Sequence, residues 1–159
     1  RNYYFQTPKN LKHKSYKTPI SSLVVIYTKQ LDILLLSRCD KKNFWQSVTG
    51  SLEKNESPID TAKREVFEET GIVCDNYLLE DWNLNHQYKI FSHWRHRYRP
   101  GVLYNTEHIF GLELPQKLPI SLAPEEHNDF KWVGLDSAKK LVFSWTNVKA
   151  LEKLSEIKL

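Results

Sequence analysis

Residues 63–72 read KREVFEETGI, so Glu65, Glu68 and Glu69 fall within five positions of a chain whose net charge is +4. On a helix each residue turns about 100°, which puts Glu69 about 40° to one side of Glu65 and Glu68 about 60° to the other. The three carboxylates share one arc. Like charges at such spacings repel by roughly a few tenths of a kcal/mol per pair. Two readings compete: a solvated acidic face, or a ligand cluster for a hard cation such as Mg²⁺, which takes oxygen ligands and shares them with phosphates. Under the second reading the cluster is repulsive only while empty. Arg64 favours it, because a guanidinium beside Glu65 and one turn before Glu68 can orient carboxylates by forked hydrogen bonds.

The elements that must hold this cluster are well punctuated. Ser57 suits a helix N-cap, Pro58 the first helical position, and Asp60 completes a capping box. Ile59, Ala62 and Val66 recur at helical spacing as a core-facing stripe, and Gly71 supplies the stop, so residues 58–70 read as a helix. Upstream, PISSLVVIYT at 19–28 and LDILLLS at 31–37 read as two buried strands, a hairpin with a short turn. NFWQSVTG is extended and ends at Gly50. Further strands are expected around 76–83, 88–93, 107–113 and 129–133. LDSAKKLV and the terminal SWTNVKALEKLSEI read as helices, the latter with Val148, Leu151 and Leu154 on its buried side. This order suggests a mixed sheet covered by helices on both faces.

Composition sets bounds on this picture. A chain of 159 residues, 40% hydrophobic and 26% charged, is one globular domain with room for a sizeable core. No apolar run approaches the roughly 20 residues of a membrane helix. Cys39 and Cys74 lack metal-ligand spacing and read as idle thiols of a reducing, cytoplasmic protein. The sequence contains no Met, and residues 1–15 read as a flexible extension or tag remnant ahead of a domain spanning 16–159. A pI near 9.0 is compatible with an anionic ligand without choosing among nucleic acid, nucleotide and membrane.

Read in full, the string runs Gly50, five residues, Glu56, seven residues, Arg64-Glu65-Val66, one residue, Glu68-Glu69, one residue, Gly71-Ile72. It fills every fixed position of the Nudix box, and the chain resembles the Nudix hydrolases. The flanks FWQSVTGS (44–51), IFSHWRHRYRPGV (90–102), NTE (105–107) and SWTN (144–147) resemble the bacterial members that act on dihydroneopterin triphosphate. That likeness runs from about Tyr16 to the terminal helix. It implies an α/β/α sandwich around a mixed sheet, with the box as a loop–helix–loop. It also implies Mg²⁺-dependent cleavage, Mn²⁺ substituting, between the α- and β-phosphates of 7,8-dihydroneopterin triphosphate, as a step in folate biosynthesis. The nearest rival is the same chemistry on dATP or an oxidised purine nucleotide. A non-catalytic module that binds nucleotide or RNA is a third reading, disfavoured by the intact box.

The same resemblance implies the site. Arg64, Glu65, Glu68 and Glu69 form its catalytic set, with Glu65, Glu68 and Glu69 as metal ligands. Glu126 in PEEHNDFKW is the distant ligand, with the adjacent Glu125 as alternative, and the Gly50 carbonyl is a further one. Arg64 and Glu56 brace helix against loop. Lys17, Arg38 and Thr49 match positions that hold the triphosphate or the base, and Tyr88, Lys89, Ile90, Phe91 and Ser144 match further substrate contacts. By residue type alone, Lys17 and Arg38 are as well explained as surface cations, Thr49 as a strand end and Ser144 as a helix N-cap. HWRHRYRPG, with Trp94 and Tyr98 among five basic or titratable residues, reads as an RNA-binding arm or as a loop beside the site. The resemblance favours the loop, and with it a small-molecule triphosphate partner rather than nucleic acid.

Overall fold

The computed structural model describes residues 4–6, 12–40 and 43–159. Of the expected extension over 1–15, residues 1–3 and 7–11 lie outside the described residues. Strands β1 (Tyr4–Gln6) and β2 (Lys12–Lys14) pair antiparallel as a sheet of their own.

The apolar runs at 20–38 become β3 (Ile20–Thr28) and β4 (Asp32–Arg38), each buried along almost its whole length. Strands buried on both faces read as continuous apolar runs, and here both faces are covered. Leu23, Val25 and Tyr27 of β3, with Ile33 and Leu35 of β4, face one core together with Leu151 and Leu154. Val24, Ile26, Leu34 and Leu36 face a second core with Ala62 and Val66. The two sets alternate along each strand, as side chains on a pleated strand must. Helix α1 (Pro58–Thr70) covers one face, and α2 (Leu135–Leu141) with α3 (Trp145–Lys158) covers the other. This is the α/β/α sandwich.

The seven-stranded sheet is completed by β5 (Trp45–Gln46), β6 (Val48–Ser51), β7 (Leu78–Lys89), β8 (Tyr104–Leu114) and β9 (His127–Gly134). It is mixed, because β3 and β8 run parallel while the other pairs are antiparallel. One edge of β3 is shared between two partners. Its C-terminal end meets β4 at Tyr27–Ile33, while its N-terminal half, Ser21–Val24, pairs with β6. The strands β4 and β3 therefore part toward the start of β3, and β5 and β6 fill the opening. The site lies there.

Two sequence expectations need correction. Ile59 is 37% exposed, so the buried stripe of α1 is carried by Ala62 and Val66, with Thr61 beside them. Residues 88–93 are not a separate strand: β7 runs unbroken to Lys89 and the chain then enters a 3₁₀ turn at Ser92–Arg97. Among the described residues the strand pairs only with β8, and a solvent-facing edge tolerates the polar residues that hid its continuity.

Candidate active site

The capping box forms as read: the Asp60 N–H donates to Ser57 Oγ, and the Ser57 N–H donates back to Asp60 Oδ2 at 3.0 Å. Gly71 closes the helix in the left-handed region at φ 78°, with its N–H on the Phe67 carbonyl. Between these caps Arg64 ties helix to loop. Its Nε donates to Glu56 Oε2 at 2.6 Å, and its Nη2 donates to Glu56 Oε1 and to the Ser51 carbonyl, both at 3.0 Å. Glu56 Oε1 also accepts from the Glu53 N–H at 2.8 Å and from Thr61 Oγ1 at 2.7 Å. This fork holds the Glu56 carboxyl down to about 2. Arg64 Nη1 then reaches Glu65 at 3.2 Å and Glu68 at 3.4 Å.

Glu65 lies so close to the Gly50 backbone that a Cβ there would overlap its carboxylate, which explains the glycine. Burial raises the Glu65 carboxyl although Arg64 pulls it down. Glu69 is 1% exposed and is held well above the usual carboxylate range by burial, then by Glu65. Its Oε1 has no hydrogen-bond partner and stands 3.6 Å from His127 Nδ1. On the other side of the ring, Gln46 Nε2 stands 3.2 Å from His127 Nε2. Burial depresses His127 to about 4, so the ring stays neutral and offers Glu69 no counter-charge. Glu69, Glu126 and His127 bring potential ligand atoms within 4.8 Å of one another. An orphaned buried carboxylate oxygen among convergent acids suits a hard divalent cation.

A cavity of about 530 Å³ opens from this cluster. Glu65, Glu68, Glu125 and Glu126 line its acidic end, and Glu69 is buried behind that wall. The geometry favours Glu126 over Glu125, because Glu126 is the one that approaches Glu69. Lys17, Arg38 and Arg97 add positive charge. The Lys17 ammonium is lowered by burial and by Arg97, whose carbonyl accepts the Lys17 N–H at 2.9 Å. Arg38 is engaged by Asp40, Nε to Oδ1 at 2.8 Å, and lies 4.9 Å from the Trp94 ring centre.

Thr49, Tyr88, Lys89, Phe91 and Ser144 all line the cavity, but Ile90 does not. Ile90 is buried, and its N–H bonds the Leu103 carbonyl at 2.8 Å. Ser144 is also the N-cap of α3, its Oγ accepting the Asn147 N–H at 3.1 Å. Of the basic segment, Trp94, Arg97 and Tyr98 reach the cavity, which places it beside the site. Sequence reading covered Arg97 only within the basic loop, and it assigned no role to His127, Asn105 or Glu107. For the last two a signal existed: the quoted NTE lies on β8, where residues two apart share one face. Burial pushes the Glu107 carboxyl up to about 7.

Comparison with known proteins follows the same lines. Residues 17–154 match the family described as NUDIX domain. The chain is 44% identical to the dihydroneopterin triphosphate diphosphatase of Escherichia coli K12 over 146 residues, 90% of this chain and 96% of that protein. It is 40% identical to the protein of that name from Haemophilus influenzae over 141 residues, 87% and 88% of the two chains. The solved E. coli dihydroneopterin triphosphate pyrophosphohydrolase superposes with a TM-score of 0.81 at 45% identity, covering 88% of this chain and 97% of that one.

Proposed function

The chain belongs to the NUDIX domain family of hydrolases, and from that premise we propose that it cleaves dihydroneopterin triphosphate to the monophosphate and pyrophosphate. One observation carries this reading: the oxygen-rich cluster of Glu65, Glu68, Glu69 and Glu126 opens onto a cavity whose flank holds Lys17, Arg38 and Arg97. Nudix hydrolases generally use a divalent metal. We take Mg²⁺ as the cation here, with Mn²⁺ able to replace it. Glu65, Glu68, Glu69 and Glu126, with the Gly50 carbonyl, would hold it, and when bound it supplies charge neutralisation for phosphate oxygens that otherwise repel a water nucleophile.

The remaining work belongs to side chains. Glu56 and Arg64 fix the carboxylates, so little reorganisation is needed when the triphosphate arrives. Lys17, Arg38 and Arg97 draw the triphosphate in and balance its charge. Phe91, Trp94 and Trp145 supply flat apolar walls for a bicyclic ring, and Tyr88, Lys89, Thr49 and Ser144 supply polar contacts around it. Ile90 supports the turn rather than touching substrate. Among the described residues no helix is long and apolar enough to cross a membrane. The free thiols of Cys39 and Cys74 fit a reducing cytoplasm.

The test is a comparison of kcat/KM for dihydroneopterin triphosphate, dATP and dGTP. The pterin should lead. A nucleotide ahead by tenfold or more would remove the pterin assignment and leave the family intact.

A further inference from the structure

The cationic flank of the cavity is crowded in its own way. Lys17, Arg38 and Arg97 line it together, and the charges of Arg97 and Arg38 add to burial in lowering the Lys17 ammonium. Like charges gathered on one wall need something to hold them. Arg38 is held along one edge: its Nε donates to Asp40 Oδ1 at 2.8 Å and its Nη2 to Asp40 Oδ2 at 2.5 Å. Its guanidinium carbon stands 4.9 Å from the centre of the Trp94 ring, and that of Arg97 stands 5.7 Å from the same ring. An indole attracts a cation at this range, and one indole shared by two cations offsets part of their repulsion. Trp94 is itself held. Its ring centre lies 5.3 Å from that of Phe91 and 4.8 Å from that of His93, and its backbone N–H donates to the Phe91 carbonyl at 2.9 Å. Asp40 and Trp94 both line the cavity.

We propose that Asp40 and Trp94 are positioning residues that bracket the Arg38 guanidinium, by edge and by face, and aim its remaining N–H groups at the triphosphate. This rests on the function proposed above and names what fixes its phosphate contacts. A guanidinium carries its N–H groups in a rigid fork, and Asp40 engages the side formed by Nε and Nη2. The end formed by Nη1 and Nη2 is the fork that matches two phosphate oxygens. Fixing a long side chain before the ligand arrives removes an ordering cost from binding. Trp94 extends the bracket to Arg97, whose backbone carbonyl accepts the Lys17 N–H at 2.9 Å. The turn at Ser92–Arg97 thus carries one cation, faces a second with its indole and ties the backbone of a third. The charge of Asp40 works against an anionic ligand, so what it contributes beside Arg38 is geometry.

The test measures competitive inhibition of the Mg²⁺-loaded enzyme by two fragments, inorganic tripolyphosphate and phosphate-free dihydroneopterin. Asp40→Asn removes a negative charge, so net charge alone predicts tighter tripolyphosphate binding. The bracket predicts the opposite: the inhibition constant should rise at least about threefold, with that of dihydroneopterin unchanged. Trp94→Leu should also weaken tripolyphosphate at least about threefold, the scale of one exposed cation–π contact. Trp94→Phe keeps an aromatic face and should stay within about twofold of wild type. In an Arg38→Lys background Asp40→Asn should add less than about twofold, because the fork it aims is gone. Asp40 is half exposed, so its variant carries the test if Trp94→Leu loses its cooperative melting transition. Either variant that folds and leaves tripolyphosphate binding unchanged or tighter overturns the proposal. An undiminished effect of Asp40→Asn without Arg38 overturns it too. Failure of the pterin reading looks different: a nucleotide then leads in wild-type kcat/KM, while the tripolyphosphate shifts persist because they depend on phosphate alone.

Discussion

Glu69 is a buried acid with an orphaned oxygen, set between Glu65 and a neutral histidine, an arrangement that makes sense around a cation and is costly without one. Glu69→Gln keeps size and helix propensity while removing a repulsive charge, so the metal-free protein should melt at the same temperature or slightly higher. Turnover should fall at least about a hundredfold, about 2.7 kcal/mol of transition-state stabilisation. Glu53→Gln is the control: its carboxylate is 41% exposed and stands 3.5 Å from Arg64, the kind of surface pair that contributes little. Equal small losses in the two variants would return the cluster to a solvated acidic face. Glu56 gives a pH signature at this same scale. Arg64 holds its folded pKa near 2 against an ordinary 4.5, so the unfolded chain takes up the proton first. The stabilisation is complete above pH 4.5 and is lost as pH falls toward 2. The melting gap between wild type and Glu56→Gln should be widest at neutral pH and narrow below 4.5. A gap constant over that range would mean that the Arg64 fork contributes nothing electrostatic.

The elements were legible where local chemistry decides them, and illegible where pairing does. Helix α1 was readable to the residue because Ser57, Pro58, Asp60 and Gly71 punctuate it with side-chain and backbone bonds that form within one turn. Its box acids could be placed on one arc for the same reason. By contrast β7 was split in two, since its polar outer face hides a continuous edge strand, and Ile59 was assigned to a core that its turn of the helix does not reach. The placement of Asn105, Glu107 and His127 depends on β8 pairing along the other edge of β3 and on β9 pairing with β4, which no short stretch of sequence displays. Two substitutions test the helix as a unit. Ser57→Ala removes the cap and should cost about 1 kcal/mol of stability, read as a lower melting temperature, with kcat nearly unchanged. Gly50→Ala places a methyl against the Glu65 carboxylate, so turnover should collapse by more than the melting temperature suggests. Full activity in that variant would show that Glu65 is free to sit elsewhere.

The whole molecule separates scaffold from site. One core joins the sheet to α1, which carries the acids, and the other joins it to α2 and α3. Leu151 is fully buried in the core beneath α2 and α3, and Leu151→Ala should cost about 2–5 kcal/mol while the folded fraction keeps its kcat. A parallel fall in kcat would mean that α3 transmits strain to the cavity. The opened edge of β3 places acids, cations and buried acceptors around one cavity, and together they define the reaction. The most direct test is to incubate the protein with dihydroneopterin triphosphate and Mg²⁺ and follow the phosphorus products by ³¹P NMR, with and without excess chelator. Pyrophosphate and the pterin monophosphate should appear in equal amounts, and only when the cation is available. Orthophosphate as the first product, or undiminished turnover in excess chelator, would contradict the account.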